Sequence, residues 1–147
     1  MFGGHGIAGT GQFFDSLGFR PGKTHATLAG VAELLGGLCF ALGLFTPLAA
    51  AAIIAVMAVA VWMVHAPKGF FVDAGGYEYN AAIVEVAAGI SMIGPGELSL
   101  DAALGLELAG VIWGLIALGI GLVAAVVALA VRATSMRGTT GRPQPTS

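Results

Sequence analysis

The chain reads as an all-α polytopic transmembrane helical bundle, with four predicted spans and a short interfacial N-terminal segment. Of its 147 residues, 57% are hydrophobic and only 10% are charged, against roughly 25% charged in an ordinary soluble domain. The apolar residues gather into four runs separated by Gly, Pro and polar turns. The runs are continuous and rich in Ala, Gly and Leu, not alternating, so membrane strands do not fit them. Within lipid such a run satisfies its own backbone only as a helix.

Residues 1–24 form the N-terminal segment. Its stretch GIAGTGQFFDSLGFRPGK is too short and too polar to span. Phe13, Phe14 and Leu17 beside Gln12, Asp15 and Ser16 suit a short helix lying in the membrane interface, ended near Pro21-Gly22. A transmembrane domain over 25–131 follows, with spans at about 25–45, 48–65, 78–94 and 108–131. A hydrocarbon core of ~30 Å takes about 20 helical residues. The first, second and fourth runs meet that length, whereas the third is short and needs residues from the Tyr77-Glu78 side. Thr46-Pro47 links the first two spans as a tight hairpin, and Gly94-Pro95-Gly96 ends the third. ELSLDAALG then makes a polar, interfacial stretch before the last span. Residues 132–147 are polar enough to read as a disordered tail.

Charge placement orients the chain. Arg20, Lys23, Lys68, Arg132, Arg137 and Arg142 fall on one side of four alternating spans, while the opposite loops carry only Glu97, Asp101 and Glu107. The basic side is expected to be cytoplasmic, with the C-terminal tail there too. A net charge of −2 with six basic residues leaves no basic stripe for nucleic acid. The single Cys39 excludes an intrachain disulfide, a CxxC redox pair and a thiolate metal cluster.

Glu33 and Glu85 are the sharpest features, because an ionisable group inside a membrane helix is costly and so suggests a site. Ala26, Gly30 and Gly37 share the helical face of Glu33, and Ala81, Ala82, Ala88 and Gly89 surround Glu85. Small residues at such spacings permit close helix approach, so both carboxylates are expected to point into the bundle. Glu78, seven residues before Glu85, shares its face, and His65 ends the second span on the same side. Glu33, Glu85, Glu78 and His65 would form one proton-active band, with Tyr77, Tyr79 and His25 at its mouth. Aromatic and aliphatic walls beside proton donors suit a quinone. No metal-ligand spacing is present, so no metal site is assigned. A plainer role stands beside each: a Glu fixing helix register, His65 bonding a carbonyl at a helix end, and tyrosines anchoring at the interface. Gly75-Gly76 marks a tight turn, since no P-loop pattern surrounds it.

GGHGIAGTGQFFDSLGFRPG, LAGVAELLGGLCFALGLFTPLAA, VHAPKGFF, GGYEYN and GPGELSLDAALG occur in that order. These blocks resemble the DoxX family of small bacterial membrane proteins, over about residues 1–105. The resemblance implies a multi-pass protein of the bacterial inner membrane. The family is associated with a terminal quinol oxidase and a thiosulfate:quinone oxidoreductase, and some actinobacterial members with a superoxide dismutase and a sulfurtransferase. The implied role is a subunit or partner in quinone- or thiol-linked redox homeostasis. Family members carry a helix ahead of the block that opens here at Met1, so that helix is expected to be missing, and the fourth span lies beyond the usual family end. Two other roles stay open: a non-catalytic scaffold recruiting soluble redox enzymes at the cytoplasmic face, and a small proton or solute transporter. Glycine-rich helices also suit homo-oligomer contacts.

Overall fold

Apolar side chains cannot hide a bare peptide group from lipid, so each run closes its own i to i−4 bonds. This holds even where Val, Ile and Gly give poor intrinsic helix propensity. The computed structural model describes residues 6–140, with side chains through Met136. In order come α1 (Gly6–Ser16), α2 (Gly22–Leu42), α3 (Thr46–Ala60), α4 (Glu78–Ile93), α5 (Leu100–Ala103) and α6 (Val111–Thr140). No strand occurs among the described residues. Three helical stretches are long and apolar enough to cross a membrane: Gly22–Leu42, Thr46–Lys68 and Val111–Met136. The expected third span is α4, whose 16 residues rise ~24 Å, less than a hydrocarbon core.

Two boundaries differ from the sequence expectation. Thr46 and Pro47 are not the link between the first two spans but the opening of α3, because proline fits a first helical turn. The link is Gly43–Phe45. The last helix runs on to Thr140, so the residues from 132 to 140 are helical where a disordered tail is expected. Ala, Arg and Met there support a helix, and Arg132 is tethered, its Nε donating to the Leu17 carbonyl at 2.6 Å. Residues 141–147 of that tail lie outside the described residues.

The chain divides into two units, residues 30–126 and residues 1–29 with 127–147. In the first, α4 runs antiparallel to α3, with Asn80 beside Met57 and Ala87 packed with Ala50 and Ile54. Ala117 of α6 and Phe40 of α2 complete that core. Missing side chains make the close approaches. A Cβ on Gly36 would stand 3.2 Å from the Ala52 Cβ, and one on Gly121 would stand 2.6 Å from the Ile54 Cγ2 and 2.9 Å from the Ala51 oxygen. Gly114, Ala117, Gly121 and Ala125 make the buried stripe of α6.

A carboxylate closes the turn between α2 and α3. Asp101 is fully buried. Its Oδ1 accepts from the Phe45 amide at 2.7 Å. Its Oδ2 accepts from the Thr46 amide at 3.0 Å and the Thr46 hydroxyl at 2.7 Å. Leu48 and Ala49 donate to the Phe45 carbonyl and Pro47 has no N–H, so the first turn of α3 has no orphan donor. The carboxylate also faces the positive end of the α3 dipole. Phe45 itself sits at φ 45°, a left-handed conformation costly for a bulky residue, and the bond from its amide helps hold it there.

In the second unit, α1 lies against the start of α2. Gly11 abuts the Lys23 backbone, and the Gly22 amide donates to Asp15 Oδ1 at 2.8 Å. Phe14, buried Phe19 and His25 form a ring series with centroids 5.8 and 5.5 Å apart.

Asp101→Ala strands three donors and is expected to lower stability by on the order of 3 kcal/mol or more, at about 1–3 kcal/mol per buried orphan. Asp101→Asn, which keeps one acceptor oxygen, should lose less; denaturant titration in detergent measures both. Gly121→Ala is expected to lower stability by about 1–3 kcal/mol through overpacking. Gly119→Ala, which meets nothing within 4 Å, should leave the unfolding midpoint unchanged or raise it.

Candidate functional site

The loop from His65 to Asn80 is built from its glycines and one proline. Pro67 has no N–H for the helix to use, and α3 gives way beforehand to a wide π turn over Val61–His65. The Ala66 amide bonds the Val61 carbonyl across that turn. Gly75 takes φ 78°. A Cβ on Gly76 would collide with the Gly69 and Phe70 carbonyls, so both glycines are required by the tight turn. The Tyr77 amide then donates to Gly69 and the Glu78 amide to Phe70, at 3.2 and 2.9 Å. Phe70 packs edge-on against both Phe71 and Tyr77, each with centroids 5.4 Å apart.

Two of the sequence-assigned residues fasten this loop. His65 Nδ1 lies 2.7 Å from the Gly75 oxygen. A carbonyl only accepts, so Nδ1 carries the proton and Nε2 is the nitrogen left for a further partner. Glu78 Oε2 accepts from the Val72 amide at 3.0 Å. Tyr77 is half-buried under Phe70, whereas Tyr79 stands 67% exposed.

The two membrane carboxylates are placed otherwise than expected. Glu33 and Glu85 are both exposed on the surface of the chain, not turned into the bundle. The register of the small residues explains the difference. On α2 the packed glycine is Gly36, while a Cβ on Gly37 would meet nothing within 4 Å. Adjacent positions lie about 100° apart around a helix, and the sequence offers glycine at both. On α4 the buried face is Asn80, Ala87, Ala88 and Ser91, which leaves Glu85 on the other side. No three His, Cys, Asp or Glu side chains among the described residues group so as to hold a metal. His65 and Glu78 therefore serve one loop, and each membrane carboxylate occupies its own helix surface. His25 lies against Phe19 in the other unit.

Asp101 was not among the sequence-assigned residues. The available signal was an acid flanked by Leu100 and Ala102 in a short loop, opposite a Thr-Pro helix start whose amide needs an acceptor.

Residues 1–66 match the DoxX family model. No curated protein and no solved structure matches the chain. The DoxX match takes in α1, α2 and α3 through the π turn, and so includes Glu33 and His65. It stops short of the blocks GGYEYN and GPGELSLDAALG, and of Tyr77, Glu78, Tyr79 and Glu85. The loop fastening thus joins a residue inside the DoxX match to partners beyond it.

Glu78→Ala removes the acceptor for the Val72 amide. Hydrogen exchange at that amide is expected to quicken about fivefold, the loss of roughly 1 kcal/mol from one bond. Glu78→Gln, which keeps an acceptor oxygen, should retain most of the protection.

Proposed function

We propose that this DoxX-domain protein is a membrane subunit of a quinone- or thiol-linked redox assembly in the bacterial inner membrane, with Glu33 and Glu85 as proton-active groups. The observation that carries the reading is the exposure of both carboxylates midway along apolar helices. Glu33 lies about 16 Å from the start of α2 and Glu85 about 10 Å from the start of α4, at 1.5 Å per residue. A charge facing lipid at such depth costs about 2.5–3.5 kcal/mol on insertion scales, so each face calls for a cover. Gly37 and Gly89 stand one turn after the two carboxylates, with nothing within 4 Å of a built Cβ. Both acidic faces are therefore faces onto which another helix packs closely. The cover is a helix of a partner subunit or a second copy, and a quinone headgroup fits between helices so arranged.

A four-crossing topology with both ends cytoplasmic accompanies this reading. The bond from Arg132 in the later part of α6 to Leu17 just before α2 supports an even number of crossings between them. With α2, α3 and α6 counted, α4 makes the fourth. The basic side then holds the His65–Asn80 loop and the acidic side holds Asp101.

The exposed aromatics of the loop, Phe71 at 69% and Tyr79 at 67%, favour a second role in docking soluble redox enzymes. One experiment separates the two. In membranes of a deletion strain carrying each variant, thiosulfate-driven reduction of decyl-ubiquinone is measured alongside co-purifying proteins. The subunit reading expects Glu33→Gln or Glu85→Gln to lower the rate about a hundredfold, the scale of a lost acid–base group, with co-purification unchanged. Full activity in both variants sinks it. Loss of soluble partners in Phe71→Ala or Tyr79→Ala, with both glutamate variants active, supports docking instead.

A further inference from the structure

A cavity of about 230 Å³ opens beside the turn after α1, within the unit formed by residues 1–29 and 127–147. Arg20 and Arg132 line it together with Asp15, Ser16 and Met136. Arg132 is half-buried and uses Nε on the Leu17 carbonyl, so its two terminal nitrogens are left for a ligand. Neither arginine makes an ion pair among the described residues, and none of those residues bonds the Arg20 guanidinium. Asp15 already accepts from the Gly22 amide, and the Ser16 hydroxyl already donates to the Phe13 carbonyl. The cavity thus offers the Arg20 guanidinium and the two terminal nitrogens of Arg132 as donors and, from Asp15 and Ser16, oxygens that only accept.

We propose that this cavity binds a phosphodiester with a hydroxyl-bearing headgroup. Two arginines against one aspartate leave a net charge of +1, which matches the single negative charge of a diester better than the roughly two of a monoester. Guanidinium forks suit phosphate oxygens, and the acceptor oxygens suit a hydroxyl on the same headgroup. Position agrees with a lipid source: the cavity lies just ahead of one apolar span and at the last turns of another. A soluble glycerophosphodiester carries the same chemistry.

The test uses the full chain in a neutral detergent, titrated calorimetrically with dihexanoyl phosphatidylglycerol, phosphatidylethanolamine and phosphatidylcholine. The phosphatidylglycerol is expected to bind about tenfold more tightly than the two zwitterionic lipids, a step worth one charge-assisted bond. Arg20→Gln, which breaks no side-chain bond among the described residues, should remove most of that preference. Lys23→Gln changes net charge equally but lies outside the cavity lining, and should preserve it. Equal affinity for the three lipids, or equal losses in the two variants, overturns the site in favour of diffuse surface charge. Competition by glycerophosphoglycerol supports the site with a soluble ligand, and failure of that competition beside retained lipid binding supports it with a membrane lipid.

Discussion

Three hydrogen bonds to one buried carboxylate tie together parts of the chain that sequence keeps far apart. Asp101 satisfies the start of α3 while its own amide donates to the Gly43 carbonyl at 2.8 Å. The turn leaving α2 and the connection leaving α4 are therefore one structure. Around it Ser99 caps α5, accepting from the Ala102 amide at 3.1 Å and donating to the Gly96 carbonyl at 2.6 Å. Gly43, at φ 59°, has no room for a side chain beside Ser99 and Pro95. Below this end Gly36, Gly114 and Gly121 let the helices close on one another.

The opposite end of α3 is held by different means. There the polar side chains other than Asn80 are exposed or half-exposed, and the loop is shaped by backbone bonds, two glycines and the Phe70 ring. His65 and Glu78 act as fasteners at its two ends. Such a loop has a defined surface without a buried charge. The glycines divide likewise: some are consumed by packing within the chain, and others, such as Gly37 and Gly89, remain open beside the membrane carboxylates.

Helix type and order were legible in the sequence because continuous apolar runs permit nothing else in lipid. The turn at Gly75-Gly76 was legible for a similar reason, since only glycine meets its two demands at once. Orientation around a helix was not. Every face of α2 and α4 carries small residues, so no hydrophobic contrast marks the buried side, and the small residues that point Glu33 and Glu85 inward have small neighbours, Gly36 on α2 and Ala87 on α4, that suit close packing equally. Asp101 escaped notice because its partners lie 55 and 56 residues away, where local spacing is blind. The helical continuation past Arg132 was hidden by composition: a polar segment looks unstructured until something such as the Leu17 carbonyl holds it.

That long separation also orders the protein's biosynthesis. The hairpin of α2 and α3 leaves the ribosome before its cap exists. At about 5–20 residues per second, the 55 residues between Thr46 and Asp101 take about 3–11 s to translate. Until then the Phe45 and Thr46 amides lack the acceptor that Asp101 supplies. Only once Asp101 has been made can the start of α3 gain its three bonds to the carboxylate.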